Sequence, residues 1–281
     1  MFSICLTHDI EALEHPYSSL KGLVKGFTQD RSRKLALDYV MGKESARRNP
    51  YDTFERIIEL EREYNARSTF FASPTTSKKN TELVQTIRDR GWEVALHGTH
   101  ESFLLASTLW KQKAVIEQAL GTKVYGIRHH RLDLRIPRTF ELQRICGFSY
   151  DSSFFPPRYG QKRLHRPFLA VEGLLEIPLA FMDSDFSEMT LTRFGGLDKA
   201  WARIEAILEE FRANEGVCTV LWHPHAFYDE KNDYHKIHYG SFEKFAHLYE
   251  KILEYGSRNG ARMCSCNEIS EGWSRTKERF W

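Results

Sequence analysis

Phe2-Ser3-Ile4-Cys5-Leu6-Thr7-His8-Asp9-Ile10-Glu11 opens the chain with a short apolar run that ends in two carboxylates. A run of this length and composition reads as a buried strand. Alternate residues of an extended segment share a side, so Asp9 and Glu11 face one way and His8 and Ile10 the other. Similar runs recur at 68–72, 93–96, 124–127, 173–177, 217–222 and 261–264. Helical patterns lie between most of them. Trp201, Ile204, Leu208 and Phe211 repeat at helical spacing, as do Phe245, Leu248 and Ile252. Residues 105–120 and 137–146 also read as helices, and Asp52 followed by Glu55 reads as an N-cap with its capping-box partner. Strands alternating with helices imply a parallel sheet covered by helices. About seven such repeats predict one α/β domain over residues 1–281, a barrel closed by βα units. Residues 156–167, which hold three prolines, are the expected long exposed loop.

The formal net charge is only +2, and no long basic block points to nucleic acid or an anionic membrane. The densest basic stretches, at 31–34 and 47–48, read as solvated helix faces. The five cysteines are odd in number and scattered, which suits buried thiols in a reducing compartment. The N-terminus lacks a basic region and a cleavage site, and no apolar stretch approaches the length of a membrane span. A cytoplasmic protein without an integral membrane segment is expected.

The chemical signal lies in the strand ends. Asp9 and Glu11 follow the first strand, His97 and His100 the third, Arg128, His129 and His130 the fourth, and His223 and His225 the strand at 217–222. In a parallel barrel all strand C-terminal ends lie on one face, where active sites are built. His97 and His100, three residues apart, can share one face of a turn or short helix and chelate a metal. The bland reading makes them surface histidines. Asp9 and Glu11 can divide the work of general base and metal ligand, or simply cap a helix and face water. His223 suits a general acid, since imidazole titrates near neutrality, or is a core histidine bonded to backbone. Arg128 can orient a carboxylate bidentately, or form an ordinary ion pair.

These residues in this order resemble the polysaccharide deacetylase (NodB-homology) family of carbohydrate esterases. Thr7-His8-Asp9 is similar to the first motif, Ser68-Thr69-Phe70-Phe71 to the second-strand signature, and the segment from Gly91 to His97 to the approach to the metal histidines. Gly126-Ile127-Arg128 resembles the motif whose arginine supports the base, and Leu221-Trp222-His223-Pro224 the motif of the acid histidine. Tyr150-Asp151-Ser152-Ser153 and Glu176-Ile177-Pro178 are similar to further segments. The resemblance implies a distorted (β/α)7-type barrel and a divalent metal, usually zinc. It departs from the family pattern at Ile10, where a metal-binding Asp is usual, and at Glu101, where the second His is usual. Glu11 and His100 are the natural substitutes.

The resemblance implies metal-dependent removal of an N-acyl group, normally acetyl, from an amino sugar or glycan precursor. Asp9 would be the base, Arg128 its support and His223 the acid; Glu11, His97 and His100 (or Glu101) would hold the metal. Asp151 and His225 are candidates for touching the carbohydrate substrate. Two alternatives remain open: another C–N hydrolase, opening cyclic imides or deformylating sugars, and an inactive relative that binds glycans.

Overall fold

The computed structural model describes residues 2–10, 15–49, 53–186, 196–227, 233 and 243–278. Among these, ten strands form one sheet. They are β1 (Ser3–Ile10), β2 (Thr69–Ala72), β3 (Glu93–Gly98), β4 (Gly126–His129), β5 (Tyr150–Asp151), β6 (Phe168–Val171), β7 (Leu174–Glu176), β8 (Leu179–Met182), β9 (Val217–Leu221) and β10 (Arg262–Cys264). Their order is β6-β7-β5-β4-β3-β2-β1-β9-β8, with β10 also paired to β1. β9 takes one edge of β1 over Ser3–Thr7, so β10 at Ser3–Cys5 and β2 at Thr7–Ile10 share the other edge end to end.

The two extremes of this order reveal how the sheet is rolled. β7 ends at Glu176 and β8, far away in the order, begins at Leu179. Three Cα steps span at most about 11 Å. The outer strands are therefore brought together by the chain itself, and the sheet curls into a barrel with a seam between β7 and β8. The distorted (β/α)-barrel expected from the sequence is the fold observed.

Strand alternation divides the core into two layers. Ile4, Leu6, Ile10, Phe70, Leu96 and Ile127 face outward and pack under the helices in the main apolar cluster. Cys5, Phe71, Ala95, Tyr150, Cys264 and Cys266 fill the barrel interior. All five cysteines are buried thiols. Close packing inside demands Gly126, because a Cβ there would lie 1.9 Å from the Tyr150 ring.

The expected helices appear at Ala106–Leu120, Arg138–Ile145, Gly196–Ala213 and Glu243–Arg258. The helix expected from Asp52 begins at Phe54 with Thr53 as N-cap, and Asp52 lies outside the described residues. The strand expected at 173–177 is the second arm of a hairpin. β6 and β7 pair antiparallel, and Gly173 in the turn between them has φ +78°. Residues 156–167 open with a 3-10 turn, Pro156–Tyr159. No helix of the described residues is long and apolar enough to cross a membrane.

Candidate active site

β1 brings Asp9 to the upper end of the barrel, buried at 7% exposure. Its carboxylate Oδ1 accepts from Arg128 Nη1 at 3.0 Å. Arg128 comes from β4 and is fully buried, which is rare for a guanidinium unless its donors are used. They are used widely. Nη1 also donates to Thr7 Oγ1 at 2.7 Å, Nε to the Ser152 carbonyl at 2.8 Å, and Nη2 to Ser152 Oγ at 2.8 Å. The guanidinium carbon sits 4.3 Å from the centroid of the Phe71 ring. Arg128 is thus clamped from several sides and holds Asp9 in one orientation.

β3 places His97, 2% exposed, on the other carboxylate oxygen: Nδ1 lies 3.9 Å from Asp9 Oδ2. The register pair His97↔Arg128 explains why both reach the same carboxylate. The ring of His130 stands edge-on to that of His97 at 5.7 Å. Next to it, His129 turns to the helix side. Its Nδ1 meets Ser102 Oγ at 3.2 Å, while Nε2 is buried with no hydrogen-bond partner among the described residues. Burial first, and His97 second, hold its pKa down at about 3.

Asp9, His130 and His223 line one cavity of about 400 Å³, together with Arg131, Leu132, Phe155, Arg158, Met182, Asp185 and Leu221. A volume of this order takes one sugar unit. Arg131 and Leu132, on its wall, both have φ in the left-handed region, +58° and +56°. Non-glycine residues hold this conformation at a cost of about 1 to 3 kcal/mol, and such strain clusters at functional sites.

His223 follows β9 and is tied to Asp183, which follows β8. The His223 backbone N–H donates to Asp183 Oδ2 at 2.8 Å, and Nδ1 lies 2.9 Å from Oδ1. Burial alone would push the Asp183 carboxyl up, but the neighbouring His223 outweighs it and holds the pKa down at about 2. An ionised Asp183 beside Nδ1 fixes the Nδ1–H tautomer and leaves Nε2 toward the cavity side. His225 stacks on His223 with centroids 5.2 Å apart. Asp183 was not singled out in the sequence, although Leu179-Ala180-Phe181-Met182-Asp183 is another apolar run ending in an acid.

Behind the site, His8 faces the helices as alternation requires. Its Nδ1 is 2.6 Å from the Trp222 carbonyl and its Nε2 is 2.9 Å from Glu61 Oε1. Tyr249 OH and Trp92 Nε1 also donate to Glu61, and all four side chains are buried. The residue before Asp9 is thereby fastened to the residue before His223.

Four sequence-derived residues, Asp9, Arg128, His97 and His223, converge. Others do not. His100 is exposed and its Nδ1 pairs with Asp133, away from Asp9. Glu101 is exposed as well, and Glu11 lies outside the described residues. Asp151 is fully buried below the cavity, accepting from Ser153 Oγ at 2.6 Å and from the Ser153 N–H at 3.2 Å. Asp151 is thus not among the residues that line the cavity. Instead it anchors Ser153, which accepts from the His129 backbone N–H at 2.9 Å and so fixes the end of β4. Beside it, burial first and the neighbouring Asp151 second push the Glu176 carboxyl well above the usual carboxylate range. His225 lies beside the cavity histidine and is absent from the lining given above.

A metal site can be tested against these positions. The buried His97 Nδ1 stands beside a carboxylate oxygen at a distance too long for a hydrogen bond and short enough for a shared ion. With His130 nearby, this is a donor set that suits zinc, and it fits a metal in part. Of the expected trio of Glu11, His97 and His100, only His97 stands beside Asp9 among the described residues; His100 pairs with Asp133. Among the described residues, only Asp183, His223 and His225 offer three ligand atoms all within 4.8 Å of one another. There the Nδ1 of His223 is already given to Asp183.

The polysaccharide deacetylase family model matches residues 47–138. This span carries β2, β3 with His97, and β4 with Arg128. No curated protein sequence matches the chain. Solved structures share the fold over almost its whole length. A protein assigned as a polysaccharide deacetylase from Mycobacterium smegmatis is 19% identical, with 98% of this chain and 92% of that one covered and a TM-score of 0.64. One assigned likewise from Pseudomonas aeruginosa PAO1 is 14% identical, with coverages of 98% and 92% and a TM-score of 0.64. The Puue allantoinase is 13% identical, with coverages of 98% and 91% and a TM-score of 0.63. Residues 47–138 thus carry the polysaccharide deacetylase family pattern, within a chain whose whole fold is that of proteins assigned to this family.

Proposed function

We propose that the chain hydrolyses the N-acyl amide of an amino sugar or glycan precursor at the cavity between Asp9 and His223. The carrying observation is that a buried, arginine-held carboxylate and an aspartate-backed histidine line the same 400 Å³ space. Acyl transfer needs a base on one side of the carbonyl and an acid on the other. Asp9, with Oδ1 fixed by Arg128, is oriented to take a proton from an attacking water. His223, with Nδ1 given to Asp183, can deliver a proton through Nε2 to the departing amine. An amine cannot leave without that proton, so the Asp183–His223 pair decides whether cleavage completes. Phe155, Leu132 and Leu221 give the cavity apolar wall surface beside the reacting groups.

His97, flanked by His130, is the described part of a divalent-metal site beside Asp9, and Glu11 remains its proposed carboxylate ligand. An ion held there would supply Lewis-acid polarisation of the acyl carbonyl. Zinc suits the donors.

A second reading, hydrolysis of a cyclic amide, is supported by the equal fold similarity to an allantoinase. The same base and acid would serve a ring C–N bond. A substrate panel separates the two: acetate or formate release from N-acylated sugars supports the first reading. Turnover of cyclic amides alone supports the second. Turnover of neither, with metal supplied, overturns both.

A further inference from the structure

Residues 15–49 break the strand–helix alternation. Helices Leu20–Thr28 and Asp30–Val40, joined through Gln29, pack on each other over a small core of Tyr17, Leu35, Ala36 and Ala46. The packing is close, since a Cβ on Gly26 would lie 2.7 Å from the Tyr17 ring and 2.9 Å from Ala36. That core does not consume the apolar residues of the insertion. Leu20, Val24 and Phe27, spaced four and three apart, form a stripe along the first helix, yet Leu20 is 79% and Val24 54% exposed. On the second helix Leu37, Val40 and Met41 share a face and are all exposed, Met41 at 76%.

Charge sets the insertion apart as well. Residues 15–49 hold eight Lys/Arg against three Asp/Glu, an excess of five in a chain whose net charge is +2. Lys21 and Lys25 flank the first stripe, and Arg33 and Lys34 lie one turn before Leu37 on its face; all four are exposed. The basic stretch at 31–34, read from sequence as a solvated face, therefore continues into an apolar one.

The insertion follows the strand that carries Asp9. Beyond its other end, Thr53 Oγ1 donates to the Pro224 carbonyl at 2.6 Å, next to His223.

An apolar groove on a partner protein would match the stripes but leave the basic excess unanswered. A polar polyanion would match the charge and leave the stripes in water. An anionic bilayer answers both, with acyl chains under the stripe and headgroups around the lysines. We propose that residues 15–49 are a docking surface for an anionic lipid bilayer, with Leu20, Val24 and Phe27 inserted at the headgroup boundary. The surface stands independently of the hydrolysis reading. Joined to that reading, and resting on it, it makes the substrate an acylated sugar carried at a membrane.

The test is sedimentation of the full chain with phosphatidylcholine vesicles, with and without phosphatidylglycerol. It reads binding without turnover, so failure of the hydrolysis reading leaves it intact. Wild type is expected to co-sediment only with the phosphatidylglycerol vesicles, and less so as salt rises. Lys21→Gln with Lys25→Gln changes only exposed side chains and should weaken binding about 30-fold at low salt. Leu20→Glu with Val24→Glu should weaken it more than about tenfold, with near-ultraviolet circular dichroism unchanged. Absence of wild-type binding, or binding untouched by both double variants, overturns the proposal. So does a wild-type dimer in sedimentation velocity that the Leu20/Val24 variant converts to monomer without any vesicle binding, which would make a second copy the occupant.

Discussion

Replacing Arg128 by Met removes a buried charge and leaves its partner in place. The guanidinium is fully buried and makes four hydrogen bonds, to Asp9, Thr7 and two atoms of Ser152. Methionine fills much of the volume, so packing over Phe71 is largely kept. Asp9, with a side chain only 5% exposed, is then a carboxylate without its cation. Breaking a buried pair in this way costs about 3 to 5 kcal/mol. For a chain of this size that corresponds to a Tm lower by about 6 to 20 °C. The clean measurement is a double-mutant cycle in urea with Asp9→Asn. Since Asp9→Asn takes away the carboxylate charge, the double variant should be less destabilised than the sum of the singles, with a coupling of about 2 kcal/mol. Additive losses, or a loss below about 1 kcal/mol for Arg128→Met, would refute the buried clamp, because a solvated surface pair contributes no more than that.

Two further outcomes follow from titration. Asp183→Asn removes the charge behind His223, so the alkaline limb of a pH–rate profile should move to lower pH with the fold unchanged; an unmoved limb would contradict the pairing. For His129 the folded pKa is about 3 and the unfolded value about 6.5. Between those values the unfolded chain binds the extra proton, so stability should fall with falling pH by up to about 1.4 kcal/mol per unit. His129→Gln should flatten that slope in urea midpoints measured from about pH 6.5 to 4, and an identical slope would show that His129 is not the group responsible.

The strand ends were legible because each apolar run stops where a polar, site-bearing residue starts. Asp9, His97, Arg128 and His223 all obey that rule, and register between neighbouring parallel strands then gathers them. The exposure of His100 was not legible: the chain after Gly98 runs through a turn that gives the Nδ1 of His100 to Asp133. The burial of Asp151 was not legible, because strand β5 is only two residues long, too short for its inward and outward positions to be read. β6 and β8 were not read from the sequence, and with β8 the aspartate that partners His223 was missed. The barrel itself was readable from alternation alone. Its seam was not, since it depends on Ile177 and Pro178 carrying the chain from one edge of the sheet to the other.

The most direct measurement is acyl release from N-acetylated and N-formylated sugars, compared between wild type, Asp9→Asn and His223→Gln, each shown to be folded. Release by wild type, abolished in both variants, is the expected result. Undiminished release by either variant would contradict a reaction carried out between Asp9 and His223.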